Sequence, residues 1–409
     1  MTTESRPRWL TRSVLAIGLA SFFSDISHEM ATTVLPAFLA LEIRATPLAL
    51  GAIEGVADGL ASFFKLLGGW WTDRMGRRKP VAVSGYVVTT VATASFAVAM
   101  NWPMILLGRA LAWMARGWRT PARNALLADT VSREAYGHAF GFERAMDTLG
   151  ALIAPLLALG LLRAGASYRH IFALAFIPGM LAALAIAVFV SEVRRPPQPK
   201  RTLFGDVRHL PRPFGLFLLI AGVFGLGQFA PTLLVLRATD VTGDPETAMA
   251  LYVLFNGVQA ASAYAFGALA RRAGSLNLLG ASYLGFALAA LGFAHAGANV
   301  LVLILLFALA GLAVGGIEAM EPTVSAELLP ASARGTGFGA LGAANGLGDL
   351  LSSLLVGALW SAYGPRAGFG FAALMNGVSL LLLWAWRHRL VTQGVPLTAH
   401  RRGSPELLQ

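Results

Sequence analysis

Long apolar runs separated by short polar tracts set the pattern of this chain. Twelve runs follow one another, at about 12–40, 47–71, 80–100, 103–129, 137–162, 170–191, 214–237, 246–270, 276–297, 299–327, 336–361 and 366–386. Each is close to the roughly 20 residues that carry an α-helix across the hydrocarbon of a bilayer. The longest polar interval, Glu192 to Pro213, is rich in Pro and basic residues and reads as a linker between two groups of six runs. The pattern predicts an all-α membrane protein. Its expected parts are a first six-helix bundle at 1–192, a linker at 193–213, a second bundle at 214–389 and a tail at 390–409.

Composition agrees with a chain that lives in lipid. Of 409 residues 56% are hydrophobic and 13% charged, about half the charged share of an average soluble domain. There is no cysteine, which excludes disulfide frameworks, thiolate metal sites and cysteine nucleophiles. The formal charge of +11 would raise nucleic acid as a partner of a soluble protein. Here the basic residues sort by side of the membrane. Of the 32 Lys and Arg, 21 fall in the polar tracts on the side of the N-terminus, five on the other side and six inside runs. The positive-inside rule then puts both termini in the cytoplasm, with the cell (inner) membrane as the expected location. A basic start before an apolar run is also the shape of a signal peptide. The first run is too long for one and carries Asp25, His28 and Glu29.

The two groups repeat one another at an offset of 198 residues. Gly69, Arg74 and Gly76 map onto Gly267, Arg272 and Gly274, Asp129 onto Glu327, and the Phe140-Gly141 pair onto Phe338-Gly339. One offset that joins turn charges, helix-end acids and a Phe-Gly pair points to duplicated halves related by an axis normal to the membrane.

Between the second and third runs lies Gly69-Trp-Trp-Thr-Asp73-Arg74-Met-Gly76-Arg77-Arg78-Lys79, expected as a tight turn at one membrane face. It closely resembles the loop between the second and third helices of major facilitator superfamily transporters. The resemblance implies twelve transmembrane helices in two pseudo-symmetric bundles, with a substrate site at midplane between them. It also implies a cytoplasmic gate built from Gly69, Asp73, Arg74, Gly76, Arg77 and Asp129. In that gate Asp73 sits against the start of the eleventh helix and Arg77 pairs with Asp129. The fifth run, from Gly150 through Ala154-Pro155 to Gly160, resembles the signature of drug/proton antiporters, with Ala154 where that family has Gly. Arg109 resembles the family's fourth-helix Arg associated with proton coupling, with Trp113 where its motif has Gly.

Charges inside the runs are costly in lipid and need a partner or a watery cavity, so each is a functional candidate. Asp25, His28 and Glu29 stack on one helix face, where an imidazole among carboxylates can exchange protons; with Arg109 they are the proton-coupling candidates. Glu54, Asp58 and Lys65 form a stripe on the second run, a pattern more often an interhelical ion network than a site. Arg109, Arg116, Arg119 and Arg123 line one side of the fourth run and must face the interior. In the second half the same offset places Glu318 and Glu321 against Thr120 and Arg123. The expected cavity set is Glu54, Asp58, Arg116, Arg119, Arg123, Asp147, Gln228, Asn256, Gln259, Glu318 and Glu321. Acids and bases nearly balance, which suits a carrier that exchanges internal salt bridges between states.

The expected function is a proton-coupled secondary transporter working by alternating access, in the direction of efflux. The other transport reading is a carrier for an organic anion held by Arg116, Arg119 and Arg123. No Walker loop is present, and His28-Glu29 lacks the second His of a zinc-hydrolase helix, so neither ATP drive nor an intramembrane enzyme is expected. No cofactor or metal is expected. The expected partners are a small-molecule substrate, protons and the lipid bilayer, with no nucleic acid, and the chain is expected to act as a monomer.

Overall fold

A computed structural model describes residues 9–45, 47–193 and 203–392. Among these every regular element is helical: α1 (Arg12–Leu41), α2 (Pro47–Met75), α3 (Lys79–Ala94), α4 (Trp102–Asp129), α5 (Tyr136–Arg163), α6 (Tyr168–Leu174), α7 (Phe176–Phe189), α8 (Leu203–Arg208), α9 (Arg212–Gly225), α10 (Pro231–Thr242), α11 (Pro245–Ala273), α12 (Ser275–His295), α13 (Val300–Leu328), α14 (Arg334–Tyr363) and α15 (Pro365–Thr392). Side-chain caps fix several starts. Thr11, Asn101, Ser167 and Asn299 each accept a backbone N–H of the following turn.

Most sequence runs and helices agree to within a few residues, with three informative exceptions. The sixth run is divided at Ala175 into α6 and α7. The seventh run is broken between Gly225 and Pro231, because Gly225 and Gly227 weaken the helix and Pro231 restarts it at its first position. The charged tract at 69–79 is not all turn. Gly69 through Met75 continue α2, and the chain reverses only at Gly76, whose φ of 62° needs the glycine. Gly274, 198 residues on, ends α11 in the same way with φ 83°. The boundaries of α2 and α11, and the 3₁₀ turns Arg133–Ala135 and Ala331–Ala333, recur at that same spacing.

Among the described residues eight helical stretches are long and apolar enough to cross a membrane. The expected spans outside that set are α1, α2 and α4, which carry the interior charges, and the broken α9–α10 pair. The outer faces are oily: Leu107, Leu305, Leu354 and Leu381 are 62–70% exposed on helices, which lipid tolerates and water does not. Within 12–189, α2 packs on α4, α1 on α5 and α7, and α3 on α4 and α7; within 212–392, α11 and α12 pack on α13, and α9 on α14 and α15. The two sets meet where α2 lies along α14 and where α5 lies along α11 and α13. Glycine makes the first of these seams possible. A Cβ on Gly69 would overlap the Gly335 carbonyl oxygen, and one on Gly339 would stand 2.6 Å from the Lys65 carbonyl oxygen. Residues 194–202 of the expected linker and the tail from 393 lie outside the described residues.

Candidate functional site

Two constructions stand on the seam between the helix sets: a latch at one end and a cavity above it. In the latch, the Asp73 carboxylate at the end of α2 accepts the backbone N–H of Gly335 at 3.0 Å and of Thr336 at 2.7 Å. These are first-turn amides of α14, which have no intrahelical partner and carry the positive end of the helix dipole. Arg78, 2% exposed, approaches Asp73 at 3.4 Å, forms an ion pair with Asp129 and donates to the Ala331 carbonyl at 2.5 Å. Arg334 reaches the other Asp129 oxygen at 3.0 Å. Asp129 therefore holds one guanidinium from each side of the seam.

This corrects one expected pairing: Arg78, not Arg77, meets Asp129. After the left-handed Gly76 the chain turns Arg77 to solvent and Arg78 inward, where it also lies against the Ala125 carbonyl. Arg74 stacks over the Trp70 ring at 4.7 Å, and Gly69 gives α14 its close approach. Substituting Gly69→Ala is therefore expected to force the seam apart, at a cost of about 1–3 kcal/mol. A thermal-unfolding series should show that loss, with Gly215→Ala, which has nothing within 4 Å of its added Cβ, as the neutral control.

The cavity holds about 350 Å³ and is lined by Arg144 of α5, Gln228, Tyr252, Phe255, Asn256, Gln259, Phe286, Val314, Glu318 and Asp349, among others. Its floor is an ion pair that crosses the seam. Arg144 Nε donates to Glu318 Oε2 at 2.6 Å and its Nη2 bonds Glu318 Oε1, the bidentate form in which guanidinium and carboxylate fit best. Arg144 Nη1 also donates to Asp147 at 2.5 Å, and Gln259 Nε2 donates to Glu318 at 2.5 Å. The expected residues Gln228, Asn256, Gln259 and Glu318 thus come together. Glu321, one turn further along α13 and 3% exposed, accepts from Tyr283 at 3.1 Å and Asn345 at 2.6 Å. No cation contacts it among the described residues.

The α4 arginines face inward, as expected, but most are already engaged. Arg116 meets Asp25 at 3.0 Å; Arg123 meets Glu143 at 2.8 Å and lies 3.9 Å from Asp147. Arg119 is different. It donates to Ser24 at 2.7 Å and lies over the Tyr86 ring at 3.7 Å, with Nε and Nη1 unbonded and no carboxylate partner among the described residues. Arg109 donates to Thr32 and stacks on Trp113 at 3.7 Å, while the His28 ring packs on the same indole at 4.2 Å and its Nε2 lies 3.7 Å from Glu29. Trp113, where the resembled motif has Gly, is the surface that gathers Arg109 and His28. Glu54 and Asp58 have side chains outside the described ones.

Sequence reasoning passed over Arg144 and Asp349 as cavity residues, together with the aromatic wall. The usable signal for Arg144 was its place three residues before Asp147 on a span, one helix turn away on the same face.

An all-helical chain with oily outer faces, a two-signed cavity and a latch of charged groups is built as a polytopic membrane carrier, not as an enzyme. The chain belongs to the Major Facilitator Superfamily, whose sequence profile matches residues 17–242 and 214–407. It is 29% identical over 383 residues, 92% of this chain and 95% of its relative, to an uncharacterized MFS-type transporter of Methanocaldococcus jannaschii. A quinolone resistance protein, NorA of Staphylococcus aureus, is 22% identical over 186 residues, 46% of this chain and 47% of that protein. Among solved structures, a bacterial homologue of the iron transporter ferroportin in an outward-facing state superposes with TM-score 0.73, at 17% identity, over 93% of this chain and all of that one.

Proposed function

We propose that this protein is a proton-coupled secondary transporter that exports a small molecule by alternating access. In this reading twelve spans form two six-helix bundles, α6–α7 and α9–α10 each counting as one broken span. The observation that carries it is the pair of seam-crossing contacts, Asp73 to the α14 N-terminus and Arg144 to Glu318. Both sit on one side of the cavity and both must break for the bundles to part there. In this reading the formed latch closes the cytoplasmic side of the cavity. The count of basic residues supports cytoplasmic termini in a cell membrane, and the partial likeness to a resistance protein supports export.

The lining favours a substrate of positive charge. Its one lining cation among the described residues, Arg144, already faces two carboxylates, Asp147 and Glu318, while Asp349 shares the wall with the exposed Tyr252, whose ring can attract a cation. Asp25, His28, Glu29 and Glu321 are the groups through which protons would pass. A second reading, transport of an organic anion, has Arg119 in its favour, because a buried guanidinium without a carboxylate partner can take one from a ligand.

Proteoliposomes with an imposed pH gradient test the assignment. Counterflow of protons and tetraphenylphosphonium is expected, with benzoate failing to compete. Movement of benzoate that Arg119→Ala abolishes would establish the anion carrier instead. Absence of both fluxes would remove transport of either class.

A further inference from the structure

A second built surface lies on the latch face, away from the cavity. Arg208 of α8, Arg212 at the start of α9 and Arg389 near the end of α15 line one groove of about 590 Å³, with Leu210, Leu216 and Leu218 along its wall. No acid lines it. Among the described residues none of the three guanidinium groups has a hydrogen-bond or ion-pair partner, so three like charges share one open recess and repel one another. An anion placed among them relieves that repulsion. The leucines lead from this charged mouth onto the apolar flank of α9, and Trp386, one turn before Arg389, marks the level of the membrane interface.

We propose that this groove binds one anionic phospholipid of the leaflet on the latch side, its phosphate among Arg208, Arg212 and Arg389 and its first acyl carbons against the leucines. A free phosphate would satisfy the arginines and leave the apolar wall exposed; a zwitterionic lipid would cover the wall and bring a choline cation to the arginines. Charge and shape together select the anionic lipid. The groove is also wired to the latch. Asp206, on the same short helix as Arg208, accepts the indole N–H of Trp70 at 3.0 Å, and Trp70 stands three residues before Asp73 on α2. A headgroup that ties α8 to α9 and α15 therefore holds α8 where it braces α2 in the closed latch. This coupling rests on the alternating-access reading; the binding does not.

Native mass spectrometry of the full chain, with phosphatidylglycerol and phosphatidylcholine of equal acyl length, tests the site directly. One phosphatidylglycerol should be retained in preference, and the triple variant R208Q/R212Q/R389Q should lose roughly fivefold in affinity per arginine, on the order of 100-fold in all. Arg44, Arg163 and Arg366 lie on the opposite face, so R44Q/R163Q/R366Q should leave the preference unchanged. Equal retention of the two lipids by the native chain, or an unaltered preference in the first triple variant, overturns the proposal. Displacement of the lipid by water-soluble glycerol phosphate also overturns it, in favour of a plain phosphate site. Bound lipid with no effect on latch distances would leave the site standing and remove only its coupling.

Discussion

Replacing Asp73 with Asn is expected to open the latch and to reduce transport by more than tenfold. The carboxylate accepts two backbone amides of α14 at 3.0 and 2.7 Å and faces Arg78 in a buried setting. Hydrogen bonds to a charged acceptor are worth about 1.5–3 kcal/mol each. An Asn side chain keeps one acceptor oxygen and turns an NH₂ toward the other amide, while Arg78 loses one of its two carboxylates. A net loss of about 2–4 kcal/mol moves the closed-to-open ratio by roughly 30- to 1000-fold, since each 1.4 kcal/mol is tenfold. The chain has no native cysteine, so labels at M75C and S332C report latch distance without background. The native protein should give a short, narrow distribution and Asp73→Asn a longer, broader one, at unchanged helical content. An unaltered distribution in the variant would show that the latch does not set the conformation.

The fold was legible because lipid enforces its own grammar. A span must be long, apolar and helical, so runs such as 137–162 and 299–327 mark α5 and α13 closely. The spacing of 198 residues was legible for a related reason: the turn glycines at 76 and 274 sit at positive φ, which few other residues adopt without strain. The position of Asp73 against the α14 amides was legible only through resemblance. Its partner was not, because which of two adjacent arginines turns inward depends on how Gly76 leaves the helix. The cavity was half legible. Gln228, Asn256, Gln259 and Glu318 stood out as polar residues in apolar spans. Tyr252, Phe255 and Phe286 did not, because an aromatic residue in a span looks the same whether it faces lipid, core or cavity. The α4 arginines announced an interior site, but sequence could not show that Arg116 and Arg123 already have carboxylate partners while Arg119 has none among the described residues.

The Arg144–Glu318 pair yields an asymmetric prediction. Arg144→Gln leaves Glu318 of α13 and Asp147 of α5 without the cation that bridges them; because the pair is only partly buried, the loss should be about 2–4 kcal/mol, below the roughly 3–5 of a fully buried pair. Glu318→Gln leaves Arg144 with Asp147 at 2.5 Å and an amide that can still accept from it, so its cost should be nearer 1–3 kcal/mol. The double variant removes both charges and should be more stable than Arg144→Gln alone. Thermal unfolding of the four proteins in one detergent reads this cycle; independent, additive losses would mean that the two residues do not act as a pair. Transport separates the structural role from the functional one. If the bridge only braces the fold, the double variant should carry substrate about as well as its stability allows. If the bridge must form and part on each cycle, the double variant should be stable and slow, with its latch labels showing both distances. The second outcome is expected, because Glu318 lies where it can face either Arg144 or a cationic substrate, and a carrier that lost that exchange would hold its shape without a reason to change it.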